Sequence, residues 1–358
     1  MNPQPPTHPR PRPLRFRAIA ALCAAIGLVG IAAAPATAAP KVSGKFDVSG
    51  VGTNNEITKG PDGNIWVTLD NANDVARITP KGKVSEYDAL DISNPVGIAS
   101  GPGKTLWVTQ PNGVAVFDPS DPDAAEKFTI NDITDPRPIV RGPDGNMWTV
   151  SGDKVIRIPP ADPASAESFQ VIDAGRDIDR GKDGRLWVGD FGGQVVRVEA
   201  DGTAKAYDTG AGSGLQAIAA GPKGQVGYAD PTSNPQIAGR VTGGKVKRTK
   251  TAGDPFGVAY AARTYWMPRF ADGDLLALDA ETGKTTDPVS FGKNTGPRRV
   301  TTGPGKTLWV TLENAEKIAR VCLDDAKVMR VTVTLDKPGA LRFTRSVAVE
   351  IVREKKSA

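Results

Sequence analysis

The sequence predicts an all-β fold, a seven-bladed β-propeller whose blades are four-stranded antiparallel sheets. Three observations predict it. A unit of about 40 residues recurs seven times, which is the period of propeller blades. Each clear copy sets a Gly-Pro or Gly-Lys turn before an apolar strand, which in all but one of them carries a tryptophan, the pattern of a tight hairpin. No stretch after the first forty residues keeps a helical period.

The clearest copy is Ile57-Thr58-Lys59-Gly60-Pro61-Asp62-Gly63-Asn64-Ile65-Trp66-Val67-Thr68. Its counterparts begin at Gly101, Gly142, Gly181, Gly221 and Gly303, each followed by a second apolar strand. The sixth copy is degenerate: it keeps Val258 and Trp266, has lost the Gly-Pro turn and is one residue shorter. Two more strands complete each unit, as at Asp74 to Ile78 and Lys83 to Tyr87 around Pro80-Lys81-Gly82, so the unit reads as a four-stranded meander. One such sheet cannot bury both faces alone, and the copies must stack around an axis. All six tryptophans share one register of the repeat, with Gly227 in the seventh place. They are expected to pack between blades rather than to bind a ligand.

Three segments follow from this reading: a secretory leader over 1–38, the propeller over 39–324, and a C-terminal β-rich tail over 325–358. In the leader, Arg10, Arg12, Arg15 and Arg17 precede the apolar run from Ala18 to Ala34, and Ala36-Thr37-Ala38 offers the small residues of a cleavage site. Cleavage is expected after Ala38, giving a secreted, extracellular protein with no stable membrane insertion. Leu22 before Cys23 argues against lipidation. The strand Lys45 to Val48 and the tail, where Lys327 to Thr334 and Arg342 to Ile351 alternate, both compete to complete the seventh blade. The basic end Arg353 to Lys355 reads as a solvated terminus.

Charge narrows the partners. The chain holds 45 Lys plus Arg against 40 Asp plus Glu, and removing the four leader arginines leaves 41 against 40. A nearly neutral protein gives no reason to expect nucleic acid as a partner. Cys322 is the one cysteine after the leader, so no internal disulfide is available, and roughly 320 residues must be stabilised by packing. The single histidine, His8, lies in the leader.

The form Gly-Pro-Asp-Gly-Asn-(apolar)-Trp-Val-Thr, followed by Val75-Ala76-Arg77-Ile78 and Val84-Ser85-Glu86-Tyr87, resembles the streptogramin B lyase (virginiamycin B lyase) family. The resemblance runs from about residue 54 to residue 323 and implies a seven-bladed propeller. It also implies an enzyme that opens a cyclic depsipeptide by elimination, with a histidine base and a magnesium ion held by glutamates. The family's histidine stands in Glu-Pro-His-Gly; the matching segment here is Asp254-Pro255-Phe256-Gly257, so Phe256 occupies the base position. A phenyl ring cannot abstract a proton. The second glutamate position is matched by Arg269, whose charge would repel magnesium. No catalytic residue is therefore assigned, and Asp254 is left as a weak candidate metal ligand.

Both positions recur in every copy and are expected to meet at one mouth of the central channel. The first ring holds Asn55, Val96, Arg137, Arg176, Gln216, Phe256 and Arg298; the second holds Leu69, Gln110, Ser151, Asp190, Asp230, Arg269 and Leu312. Four guanidinium groups in a funnel could clamp a carboxylate, phosphate or sulfate. The competing expectation is a local salt-bridge network in which Asp135, Asp190, Asp230 and Asp254 neutralise the four arginines. The candidate ligand-binding residues are Asn55, Arg137, Arg176, Gln216, Arg298, Arg269, Gln110, Asp190, Asp230 and Phe256.

The favoured reading is a non-catalytic, monomeric exported propeller that binds a small, anionic molecule or a protein partner at its mouth, without a cofactor. Two alternatives stay open. One is a lyase with a rearranged magnesium site, with Asp190, Asp230 or Asp254 as base. The other is a gluconolactonase-like hydrolase with calcium on the axis, held by Asp190, Asp230, Gln110 and Asn55.

Overall fold

The computed structural model describes residues 31–37, 39–88, 92–170, 172–210, 214–323, 327–334 and 344–349. Most of the expected leader and the basic end lie outside the described residues. The chain divides into two compact units, Pro40–Leu323 and a second unit drawn from both termini. Within the second unit, Ile31–Thr37, Lys327–Thr334 and Thr344–Val349 form a three-stranded antiparallel sheet with Lys327–Thr334 in the middle.

Pro40–Leu323 is a seven-bladed propeller of four-stranded antiparallel sheets. From the axis outward, blade one runs Ile57–Lys59, Ile65–Leu69, Asp74–Ile78 and Val84–Tyr87. Blades two to six repeat the order, with inner strands Ile98–Ser100, Ile139–Arg141, Gly175–Arg180, Ala217–Ala220 and Ala259–Ala261. Blade seven starts at Pro297–Gly303, passes through Thr307–Leu312 and Lys317–Cys322, and takes its outermost strand, Lys41–Asp47, from the other end of the unit. The N-terminal candidate thus closes the ring. Its register pairs Phe46 with Ile318 and Asp47 with Lys317.

Each tryptophan packs in a cluster shared with a neighbouring blade: Trp66 with Ile98 and Leu106, Trp148 with Ile178 and Leu186, Trp309 with Ile57 and Ile65. Burying an aromatic ring of this size contributes on the order of 3 kcal/mol or more to each seam. The turn chemistry serves the indole as well. Asp144 accepts from Trp148 Nε1 at 3.0 Å, while in Gly-Pro-Gly-Lys-Thr turns Thr105 and Thr307 hydroxyls accept from Trp107 and Trp309, each at 3.0 Å. In blades one, two, three and seven the glycine that opens the turn makes room for the ring: a Cβ on Gly101 or Gly303 would stand 2.3 Å from the indole.

Seams are also laced by polar side chains. Thr68 accepts from Glu56 N and donates to Val96 O of the next blade, both at 2.8 Å, and Thr109 does the same between Gly97 N and Arg137 O. Arginines in one register of the third strand, Arg77 and Arg157 opposite tryptophans and Arg240 opposite Gly227, reach further out: Arg77 donates to Pro119 O, Arg157 to Ala200 O and Arg240 to Glu281 O. Arg320, stacked over Phe46 and Trp309, donates to Pro80 O and ties blade seven to blade one. The degenerate sixth copy closes its first hairpin with Ala262 and Arg263, both at positive φ (51° and 64°), the backbone of a type I′ turn without its usual glycine.

Candidate functional site

An inner strand exposes alternate residues to the axis. The apolar member in blades one to five and seven, Ile57, Ile98, Ile139, Ile178, Ile218 and Val300, is buried in a seam, and its counterpart in blade six, Val258, is partly buried. The intervening residues surround an axial cavity of about 250 Å³ lined by all seven inner strands. Its charged groups are Glu56, Asp177, Asp179 and Arg299, one residue beyond the positions singled out from the sequence, or three in the case of Asp179.

These acids also hold the fold. Asp177 accepts from Ile218 N at 2.8 Å and Asp179 from Ala220 N at 2.7 Å, so blade four is stitched to blade five. Gly189 fills the register of Thr68 there, and Leu215 would lie 2.5 Å from a Cβ on it. The two aspartates take over the lacing. Burial pushes the Asp177 carboxyl up to about 8, with the Glu56 charge adding to the shift and Arg299 opposing it. Asp179 is pushed up to about 6 by burial, against its backbone hydrogen bonds. Burial raises Glu56 as well, while Arg299, 3.6 Å away, opposes the rise. Arg299 Nε also donates to Asn55 O at 3.2 Å.

At the level of the first ring, Arg176 lies 4.5 Å over the Phe191 ring and has no carboxylate partner among the described residues. Burial lowers its pKa, Arg137 lowers it further and Asp135 opposes. Arg137 itself pairs with Asp135 at 2.5 Å. Arg298 sits 4.2 Å over Phe256, whose ring meets Phe270 edge-on at 5.8 Å, and it reaches Glu313 at 3.4 Å. Asn55 is fully buried, with Nδ2 bonded to Gly52 O. Gln216 is half-buried, and its N–H donates to Ala229 O.

The second ring is occupied mainly with loops. Gln110 accepts from Ser93 N at 3.2 Å, and Ser151 accepts from Thr134 N and Asp135 N. Asp190, fully buried, accepts from Asp173 N, Ala174 N and Gly192 N at 2.9–3.1 Å. Asp230, also fully buried, accepts from the backbone and hydroxyls of Thr232 and Ser233. Leu69 and Leu312 belong to the core. Arg269 is held by Asp274 at 2.6 and 2.8 Å and by Asp272 at 2.7 Å. Asp254, with φ at 56°, is bonded through its N–H and carboxylate to Gln236.

The arginine pairs therefore run to Asp135, Asp272, Asp274 and Glu313, of which Asp135 alone figured in the sequence reading. The structure brings Arg137 close to Arg176 and Arg298 close to Phe256. Among the described residues, no three acid, cysteine or histidine side chains are grouped so as to hold a metal.

A family model, the virginiamycin B lyase family, matches residues 44–177. No curated protein sequence matches the chain. Among solved structures, the virginiamycin B lyase of Staphylococcus aureus is similar at 18% identity and a TM-score of 0.67, covering 80% of this chain and 100% of that one. A streptogramin B lyase is similar at 17% identity and 0.67, covering 78% and 97%. The pyrroloquinoline quinone-bound aldose sugar dehydrogenase of Streptomyces coelicolor is similar at 17% and 0.52, covering 80% and 99%. At these identities the likeness is one of fold.

Proposed function

We propose that the chain, which matches the virginiamycin B lyase family over residues 44–177 yet carries phenylalanine at the base position that the resemblance implies, is an exported, non-catalytic member. In this reading it binds a small anion at the mouth of its channel, beside Arg137 and Arg176. The observation that carries the reading is the packing of Phe256. Its ring is clamped between Phe270 and Arg298, so the place of a proton-abstracting group is filled by an apolar wall under a cation. Arg269 supports the same conclusion, since its guanidinium is tied to Asp272 and Asp274 where the resemblance implies a metal-binding glutamate.

Anion binding is supported by the neighbouring pair. Of the two neighbouring guanidinium groups only Arg137 pairs with a carboxylate, that of Asp135, and the Arg176 cation is disfavoured by burial and by Arg137. A ligand carboxylate, phosphate or sulfate would relieve that repulsion and accept hydrogen bonds from a planar fork. Phe191, stacked under Arg176, would wall one side. Export rests on the leader pattern of residues 1–38.

Two measurements test this. Incubating the mature protein with a streptogramin B and magnesium should give no linear product by mass spectrometry; ring opening that is lost on Asp254→Ala would overturn the non-catalytic reading. Citrate, phosphate and sulfate should raise the melting temperature of the wild type by mass action. Arg176→Met should abolish the rise, and an undiminished rise in that variant would remove the anion site.

A further inference from the structure

The outer strands of the blades differ sharply in charge. Six of them, Val84–Tyr87, Asp121–Thr129, Glu167–Gln170, Ala204–Asp208, Thr285–Ser290 and Lys41–Asp47, carry net charges between −2 and +1. The outer strand of blade five, Lys245–Lys250, reads Lys-Val-Lys-Arg-Thr-Lys and carries +4 with no acid. All four cations are exposed, and among the described residues none has a carboxylate partner. Arg248 alone is engaged, donating to Gly210 O at 2.8 Å.

Protection of a sheet edge against pairing needs only a lysine or another isolated charge, and the other six edges manage with less. This strand instead accumulates repulsion. Its Lys247 stands directly opposite Arg240 in the ladder, and like charges opposed across a sheet destabilise it. The chain without its leader is nearly neutral, so the strand is a local concentration rather than a share of a general excess.

Geometry selects the kind of ligand. Six residues in extended conformation span about 17 Å, with Lys245 and Lys247 on one side of the strand and Arg248 and Lys250 on the other. The cations form a line along the rim, accessible from both flanks. A membrane-binding surface would add exposed apolar anchors, whereas Val246 and Thr249 between the cations are half-buried. From these observations we propose that the strand Lys245–Lys250 is a docking edge for a linear polyanion of repeated phosphate groups. The ligand lies along the rim of blade five, away from the channel mouth, and neutralises the strand.

The test uses the protein without its leader and inorganic polyphosphate as the probe, with binding followed by fluorescence anisotropy over a range of salt. Binding should weaken steeply with salt, with a log–log slope of about −3 for four neutralised charges. Replacing the three lysines together, Lys245→Gln, Lys247→Gln and Lys250→Gln, should cost about tenfold or more in affinity and flatten the slope. The matched neutralisation in blade one, Lys59→Gln, Lys81→Gln and Lys83→Gln, should leave both unchanged. Circular dichroism melting of each variant verifies the fold. Equal affinity after neutralising blade five, an equal loss in the blade-one control, or capture by phosphatidylglycerol vesicles without binding of soluble polyphosphate would each overturn the proposal.

Discussion

The ring of Tyr265 occupies the space that Gly227 leaves free in blade five. A Cβ on Gly227 would lie 2.4 Å from Tyr265 Cδ1, and one on Gly221 would lie 2.5 Å from the tyrosine hydroxyl oxygen. In blades one, two, three and seven the glycine matching Gly221 faces an indole of its own blade instead. The missing tryptophan of the fifth copy is thus replaced by a ring from the sixth.

That exchange predicts a coupled pair. Gly227→Trp should destabilise the propeller by about 1–3 kcal/mol through overpacking. Combining it with Tyr265→Ala should be less harmful than the two separate losses added together. Chemical denaturation of the four proteins checks this, and strict additivity would show that the rings do not share one space.

The channel acids predict a pH dependence. Asp177 and Asp179 bind their protons more tightly folded than unfolded, since burial raises them to about 8 and about 6. Between about pH 4, where the unfolded carboxyls release their protons, and pH 8, the unfolded state therefore holds fewer protons, and these groups' contribution to stability falls as pH rises. Asp177→Asn should flatten the fall and make the protein roughly 2–3 kcal/mol more stable at pH 9 relative to pH 6 than the wild type is. Melting curves at the two pH values measure it.

The hairpin at Ala262 and Arg263 predicts a gain. Left-handed backbone disfavours both residues by about 1 kcal/mol each, and Asn-Gly suits a type I′ turn. Ala262→Asn with Arg263→Gly should raise stability by about 1 kcal/mol, reduced by the Arg263–Glu281 pair that is lost. The measurement is a denaturation midpoint at constant slope.

Restoring the base should not restore chemistry. Phe256→His would place an imidazole beneath Arg298 and beside Arg269, whose position stays tied to Asp272 and Asp274. No ring opening of a streptogramin B is expected from this variant, with or without magnesium. Detectable linear product by mass spectrometry would show that the base alone was lacking.

Ring closure predicts a long-range weakness. Arg320 stacks on Phe46 and Trp309 and reaches Pro80 O across the last seam. Arg320→Ala should cost about 2 kcal/mol through lost packing and an orphaned carbonyl, read as a lowered melting temperature.

Much of this fold was legible because each turn spells out its own hairpin, from Gly60-Pro61-Asp62-Gly63 onward. Blade closure was not: Lys41–Asp47 and the tail both alternate, and the choice depends on register against Lys317–Cys322. The site was legible only in part. Phe256 and Arg269 could be placed by spacing, yet the partners of Arg269, Asp272 in the following turn and Asp274 directly opposite it at the start of the next strand, were not tied to it. Glu56, Asp177 and Arg299 were missed, although alternation about Ile57, Ile178 and Val300 was a usable signal for residues facing the axis.

The strand Lys41–Asp47 lies beside Lys317–Cys322, separated from it by nearly the whole length of the domain. The first propeller strand to emerge during synthesis must therefore wait, unpaired, until the last blade exists. Assembly of the disc cannot be completed progressively from one end, and such distant pairing slows folding. A protein shortened at either side of this seam would lose not one blade's margin but the clasp that keeps six others from opening.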